Sequence, residues 1–174
     1  MLKLLESTER LANTSRELEE RVQLPAEIGD LVLPVRLLSG FEDLPNANAL
    51  LPHDWAVYSR GNREILVNGA TFFEVSEELA RATLAHEVGH AVYQRAQETQ
   101  YDLGYAGLHE EFLADVLACK WGYCDEVCAL RSSYGDEYCS LLRRSEQIPD
   151  FVKAMEEWLQ QYSYKKIIAK WKGI

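Results

Sequence analysis

The residues with the clearest chemical potential lie in Thr83-Leu84-Ala85-His86-Glu87-Val88-Gly89-His90, an H-E-x-x-H stretch. Residues four apart on an α-helix share a face, so His86 and His90 can reach one cation at the roughly 2.0–2.1 Å of a zinc–nitrogen bond. Glu87 stands where a carboxylate can take a proton from a water activated by that cation, which is the chemistry of a metallohydrolase. A catalytic zinc uses three protein ligands and keeps one position for water. The third ligand cannot come from an H-E-x-x-H-x-x-G-x-x-H continuation, because Tyr93, Gln94, Arg95 and Ala96 follow instead. It must come from elsewhere.

A second run, His109-Glu110-Glu111-Phe112-Leu113-Ala114-Asp115-Val116-Leu117-Ala118, sets Glu111 and Asp115 on one helical face. One can bind the metal while the other orients a liganding imidazole. Zn²⁺ is the expected cofactor, although other divalent ions accept two nitrogens and an oxygen.

H-E-x-x-H followed by E-x-x-x-D resembles the gluzincin metallopeptidases. The run Arg81-Ala82-Thr83-Leu84-Ala85-His86-Glu87-Val88-Gly89-His90 with Glu111-x-x-Ala114-Asp115 is similar to the ImmA/IrrE branch. The resemblance covers Ile65 to Ala118. It implies a zincin-like core, with His86, His90 and Glu111 as zinc ligands, Glu87 as general base, Asp115 as the partner of His86, and a protein or peptide as substrate. In such proteins the strand before the active helix is a sheet edge on which an extended peptide docks, and here that edge would be Ile65 to Gly69. The other reading of this strand is that it merely packs beneath the helix. After Ala118 the chain departs from the apolar continuation of the family and reads Cys119-Lys120-Trp121-Gly122-Tyr123-Cys124. Tyr101, Tyr105 and His109 are the candidates for holding an oxyanion. A second class of function is a zinc-binding module that recognises a partner without cleaving it. Glu87 argues against that class, since a purely structural site needs no base and closes its fourth position.

The elements around these residues set the expected fold class, α+β, in one domain: an N-terminal helix and edge segment over 1–53, a catalytic core over 54–122 and a helical subdomain over 123–174. Leu4, Leu5, Leu11, Leu18 and Val22 recur at near-helical intervals and predict one helix from Leu2 to Val22. Leu31 to Leu38 reads as a strand, placed at an edge by Pro34. Gly40 to Pro52, with Pro45, Asn46 and Asn48, reads as a loop or short irregular helix. Trp55–Ser59 and Glu64–Asn68 flank Arg60-Gly61-Asn62-Arg63 as a hairpin. Ser76 is the expected cap of an amphipathic helix running to about Ala96, with Leu84, Val88, Ala91 and Val92 as its apolar stripe and a loop from Gln97 to Gly107 after it. Helices are expected over about 125–131, 136–147 and 150–170.

A net charge of −10 argues against sequence-independent binding to a phosphate backbone, and no helix-turn-helix pattern is present, so nucleic acid is not an expected partner. Neither a secretory signal nor a stretch long enough to span a membrane is seen, and the expected location is the cytoplasm. Cys119, Cys124, Cys128 and Cys139 lack paired C-x-x-C spacing; reduced, partly buried thiols are expected, with a second metal site as the alternative. The basic, aromatic end, from Tyr162 and Tyr164 to Lys172, reads as a helix with a solvated lysine face, or else as a tail that meets a membrane surface or partner.

Overall fold

Leu2 and Leu4 are buried while Lys3 and Leu5 face solvent, and this period of two makes Leu2–Glu6 a strand, β1. The single helix expected from Leu2 to Val22 is therefore corrected: helix α1 spans only Glu9–Arg21, burying Leu11 and Leu18. The computed structural model describes residues 1–6, 9–40 and 55–172, with side chains described for 1–5, 11–40 and 55–163. The expected loop with Pro45, Asn46 and Asn48, and the side chains of the basic end from Tyr164 onward, lie outside the described residues.

Strand β2, Leu31–Leu38, alternates like β1 and runs parallel to it, with Leu4 opposite Leu33. Strands β3, Ala56–Ser59, and β4, Glu64–Asn68, form the expected antiparallel hairpin. The order across the sheet is β1-β2-β4-β3, with β4 parallel to β2. Two expectations fail here. β2 is interior, not an edge; Pro34 fits because the ladder with β4 begins only at Val35, so its missing N–H removes no rung on that side. The stretch Ile65 to Gly69 is not the edge either, since the hairpin folds back with its second arm against β2, leaving β3 outermost among the described residues.

Helix α2, Glu77–Thr99, starts at Ser76, whose hydroxyl accepts from the Leu79 N–H, and ends at Gln100 in the left-handed conformation with φ 56°. Every residue from Ala82 to Val92 is buried, so this helix is enclosed rather than amphipathic. It packs against α1, β3, β4 and the next two helices, α3, Glu110–Ala118, and α4, Cys124–Leu130. Two more helices follow, α5, Asp136–Arg143, and α6, Phe151–Lys172. Asp150 accepts from the Lys153 N–H and starts α6. The molecule is thus α+β, with one buried apolar cluster running from Leu2 to Trp158. Among the described residues no helix is long and apolar enough to cross a membrane.

Between α3 and α4 the chain makes a wide turn and reverses at Gly122, φ 92°, a conformation that glycine adopts without a Cβ penalty. The reversal brings the Cα atoms of Cys119 and Cys124 to 4.0 Å, and the two form a disulfide, which corrects the expectation of four reduced thiols. Cys128 and Cys139 are free and buried.

Candidate metal centre

α2 and α3 lie in direct contact because neither presents bulk at their closest approach. A Cβ built on Gly89 would stand 2.8 Å from the Ala114 Cα. This contact sets the H-E-x-x-H turn of α2 against the first turn of α3. The Nε2 atoms of His86 and His90 are 3.1 Å apart, and the Glu111 carboxylate reaches both, Oε2 lying 3.4 Å from His86 Nε2 and Oε1 3.4 Å from His90 Nε2. Ligand atoms around a tetrahedral ion at about 2.0–2.2 Å lie roughly 3.3–3.6 Å from one another, so these three groups fit a common zinc. Among the described residues they are the one such group of three, and no cysteine belongs to it. The side of the site formed by Glu111 is open, its side chain 53% exposed.

Both imidazoles are backed by carboxylates. Nδ1 of His86 lies 2.7 Å from Oδ1 of Asp115, off the line of an ideal hydrogen bond, as expected for its partner. Nδ1 of His90 lies 2.7 Å from Oε1 of Glu110, which in turn pairs with Arg60 in the β3–β4 turn. A protonated Nδ1 on each ring leaves Nε2 with its lone pair toward the cation. Asp115 itself is held by Arg131, through Nε at 2.9 Å and Nη2 at 3.2 Å, and by the Tyr138 hydroxyl. Arg131 Nη2 also approaches His86 Nε2 at 3.3 Å and Glu111 at 3.5 Å.

These contacts set the charges. Burial pushes His86 down, but the Asp115 and Glu111 carboxylates outweigh it and raise the ring to about 10. Burial and the charge on His86 lower His90 to about 4, so the imidazole pair carries a single positive charge, on His86. Burial is also the main cause that lifts Glu87 to about 7, against the pull of His86 and the Tyr58 N–H that donates to Oε2 at 2.7 Å. A carboxylate poised near neutrality is suited to accept and return a proton.

The structure brings His86, Glu87, His90, Glu111 and Asp115 together. The contacts of the three oxyanion candidates are these. Tyr101 follows the far end of α2, where its N–H donates to Ala96, six residues or about 9 Å of helix beyond His90. Tyr105 packs edge-on against Phe151 and beneath the Lys120 ammonium. His109 caps α3, its Nδ1 accepting from the Glu111 N–H, and so acts on the backbone that carries the ligand. Glu110, Arg131 and Tyr138 were not foreseen. Glu110 had a signal, standing beside Glu111 in the first turn of α3; the other two had none. Comparison with known proteins gives no match to a family model, a curated protein or a solved structure.

Proposed function

We propose that this chain is a zinc-dependent peptidase with a zincin-like core, similar to the gluzincins, that hydrolyses a protein or peptide. The observation that carries the reading is the convergence of His86, His90 and Glu111 beside the buried carboxylate of Glu87. Zinc in this site lowers the pKa of a water toward about 7 and polarises a carbonyl. Asp115 and Glu110 fix the two imidazoles, Glu87 accepts the proton of the attacking water and hands it to the leaving amine, and the Tyr58 N–H keeps the Glu87 carboxylate in place. Arg131 Nη2, next to His86 and Glu111, is a cationic group near a developing oxyanion.

The docking edge moves from β4 to β3. Trp55 accepts from the Asn68 N–H, so Trp55, Val57 and Ser59 turn their backbone groups toward β4, and Ala56 and Tyr58 turn theirs outward, past Glu87. An extended peptide lying along Ala56 and Tyr58 would have its scissile bond beside the base. The Cys119–Cys124 disulfide fits an oxidising compartment better than the cytoplasm that the sequence suggests.

The test is zinc content together with digestion of a peptide library read by mass spectrometry, for wild type and Glu87→Gln. Both proteins should carry about one zinc, and the variant should cleave at least about 100-fold more slowly. Stoichiometric zinc with no cleavage by either protein would support the binding module instead.

A further inference from the structure

Cys128 and Cys139 bracket the short segment that supplies both supports of Asp115. Arg131 lies three residues after Cys128 and Tyr138 one residue before Cys139. The two thiols neighbour one another where α4 packs on α5, and each residue is 8% exposed. They are free, while Cys119 and Cys124, the latter one turn before Cys128 on α4, are already joined. Within one connected patch, then, an oxidised pair on a half-exposed turn adjoins a reduced pair in the core.

We propose that Cys128 and Cys139 are an oxidisable dithiol that closes to a disulfide by thiol–disulfide exchange, clamping α4 to α5 around the segment that holds Asp115. The step needs only a disulfide as oxidant. One thiolate of the pair attacks a sulfur of that disulfide and expels its partner sulfur as a thiolate. The second thiolate of the pair then attacks the mixed disulfide, forms the Cys128–Cys139 bond and expels the remaining sulfur. The two protons lost by the cysteines end on the two expelled thiols. The oxidant is either the adjoining Cys119–Cys124 bond, which would itself be reduced, or a low-molecular-weight disulfide. Burial pushes the Cys128 thiol up to about 12, so closure is slow, and the placing of both thiols in one buried helix–helix seam is what favours it. The inference stands whether or not the chain cleaves peptides.

The test uses the full chain, first with its Cys119–Cys124 bond intact and no added oxidant, then with oxidised glutathione. Thiols are trapped by alkylation and peptides are mapped without reduction. A Cys128–Cys139 linked peptide should accumulate, and amide exchange across residues 129–138 should slow at least about fivefold. Closure without added oxidant that is lost in a Cys119→Ser, Cys124→Ser double variant assigns the internal source; closure that requires glutathione assigns the external one. Recovery of both Cys128 and Cys139 as free thiols under both conditions overturns the proposal. So does a linked peptide with unchanged exchange, since the clamp would then be absent. Both readouts are made on the wild-type chain, so neither depends on the folding of a variant.

Discussion

Asp115 receives Arg131 and Tyr138 on one side and faces His86 on the other, so its charge is shared between the fold and the candidate site. Asp115→Asn keeps the shape but turns an N–H toward Arg131, and zinc affinity should fall about 10–100-fold in a chelator competition. Burial raises the Asp115 pKa, but His86 and Arg131 outweigh this and hold it at about 2, below the ordinary 3.8. A depressed folded value means that the carboxylate stabilises the fold above the ordinary value and ceases to do so as pH falls through the folded one. An acid titration followed by circular dichroism should therefore show stability lost between about pH 4 and pH 2. His86 presents the opposite sign: raised to about 10, it is protonated at neutral pH when no metal competes. Zinc uptake at pH 7 should release about one proton, visible as buffer-dependent heats in calorimetry, and affinity should drop as pH is lowered. The juxtaposition of His86 and His90 was legible in the sequence because a four-residue spacing is fixed by the helix itself. Arg131 and Tyr138 reach Asp115 from 16 and 23 residues away, through turns that no local period encodes.

The contact between α2 and α3 is decided by Gly89. On helix propensity alone an alanine in a helix interior is about 1 kcal/mol better than glycine. Here its Cβ would meet backbone, 2.8 Å from the Ala114 Cα and 3.1 Å from the Ala114 oxygen, and backbone cannot swing aside. Gly89→Ala should therefore cost about 1–3 kcal/mol in urea unfolding and weaken zinc binding, because the two helices that carry the ligands must separate. An increase in stability would show that the helices yield freely. The helices after Gly122 were legible from caps and from Pro149; the sheet was less so. Leu2 and Leu5 satisfy a helical spacing while Leu2 and Leu4 satisfy a strand alternation, and only pairing with Leu31 and Leu33 decides for the strand. Pro34 misled because its effect depends on where the neighbouring ladder begins, which is a property of β4.

At the scale of the whole molecule, a zinc ion held by His86, His90 and Glu111 would join α2 to α3 and so should stabilise the entire fold. At 100 times its dissociation constant a ligand specific for the folded state contributes about 2.7 kcal/mol. For a chain of 174 residues, removal of zinc by a chelator should lower Tm by roughly 5–10 °C in a thermal scan. An unchanged Tm would mean that the three groups do not share an ion. The hairpin is also tied to this centre, since Arg60 in its turn pairs with Glu110, and the Tyr58 N–H donates to Glu87. That second bond makes the phase of a strand a condition for the chemistry. Deleting one residue between Ser59 and Glu64 invites β3 to slip by one position, and a slip by one exchanges its inward and outward backbone groups. The carboxylate of Glu87 would then lose its donor although every ligand, and every residue of the active helix, remained unaltered.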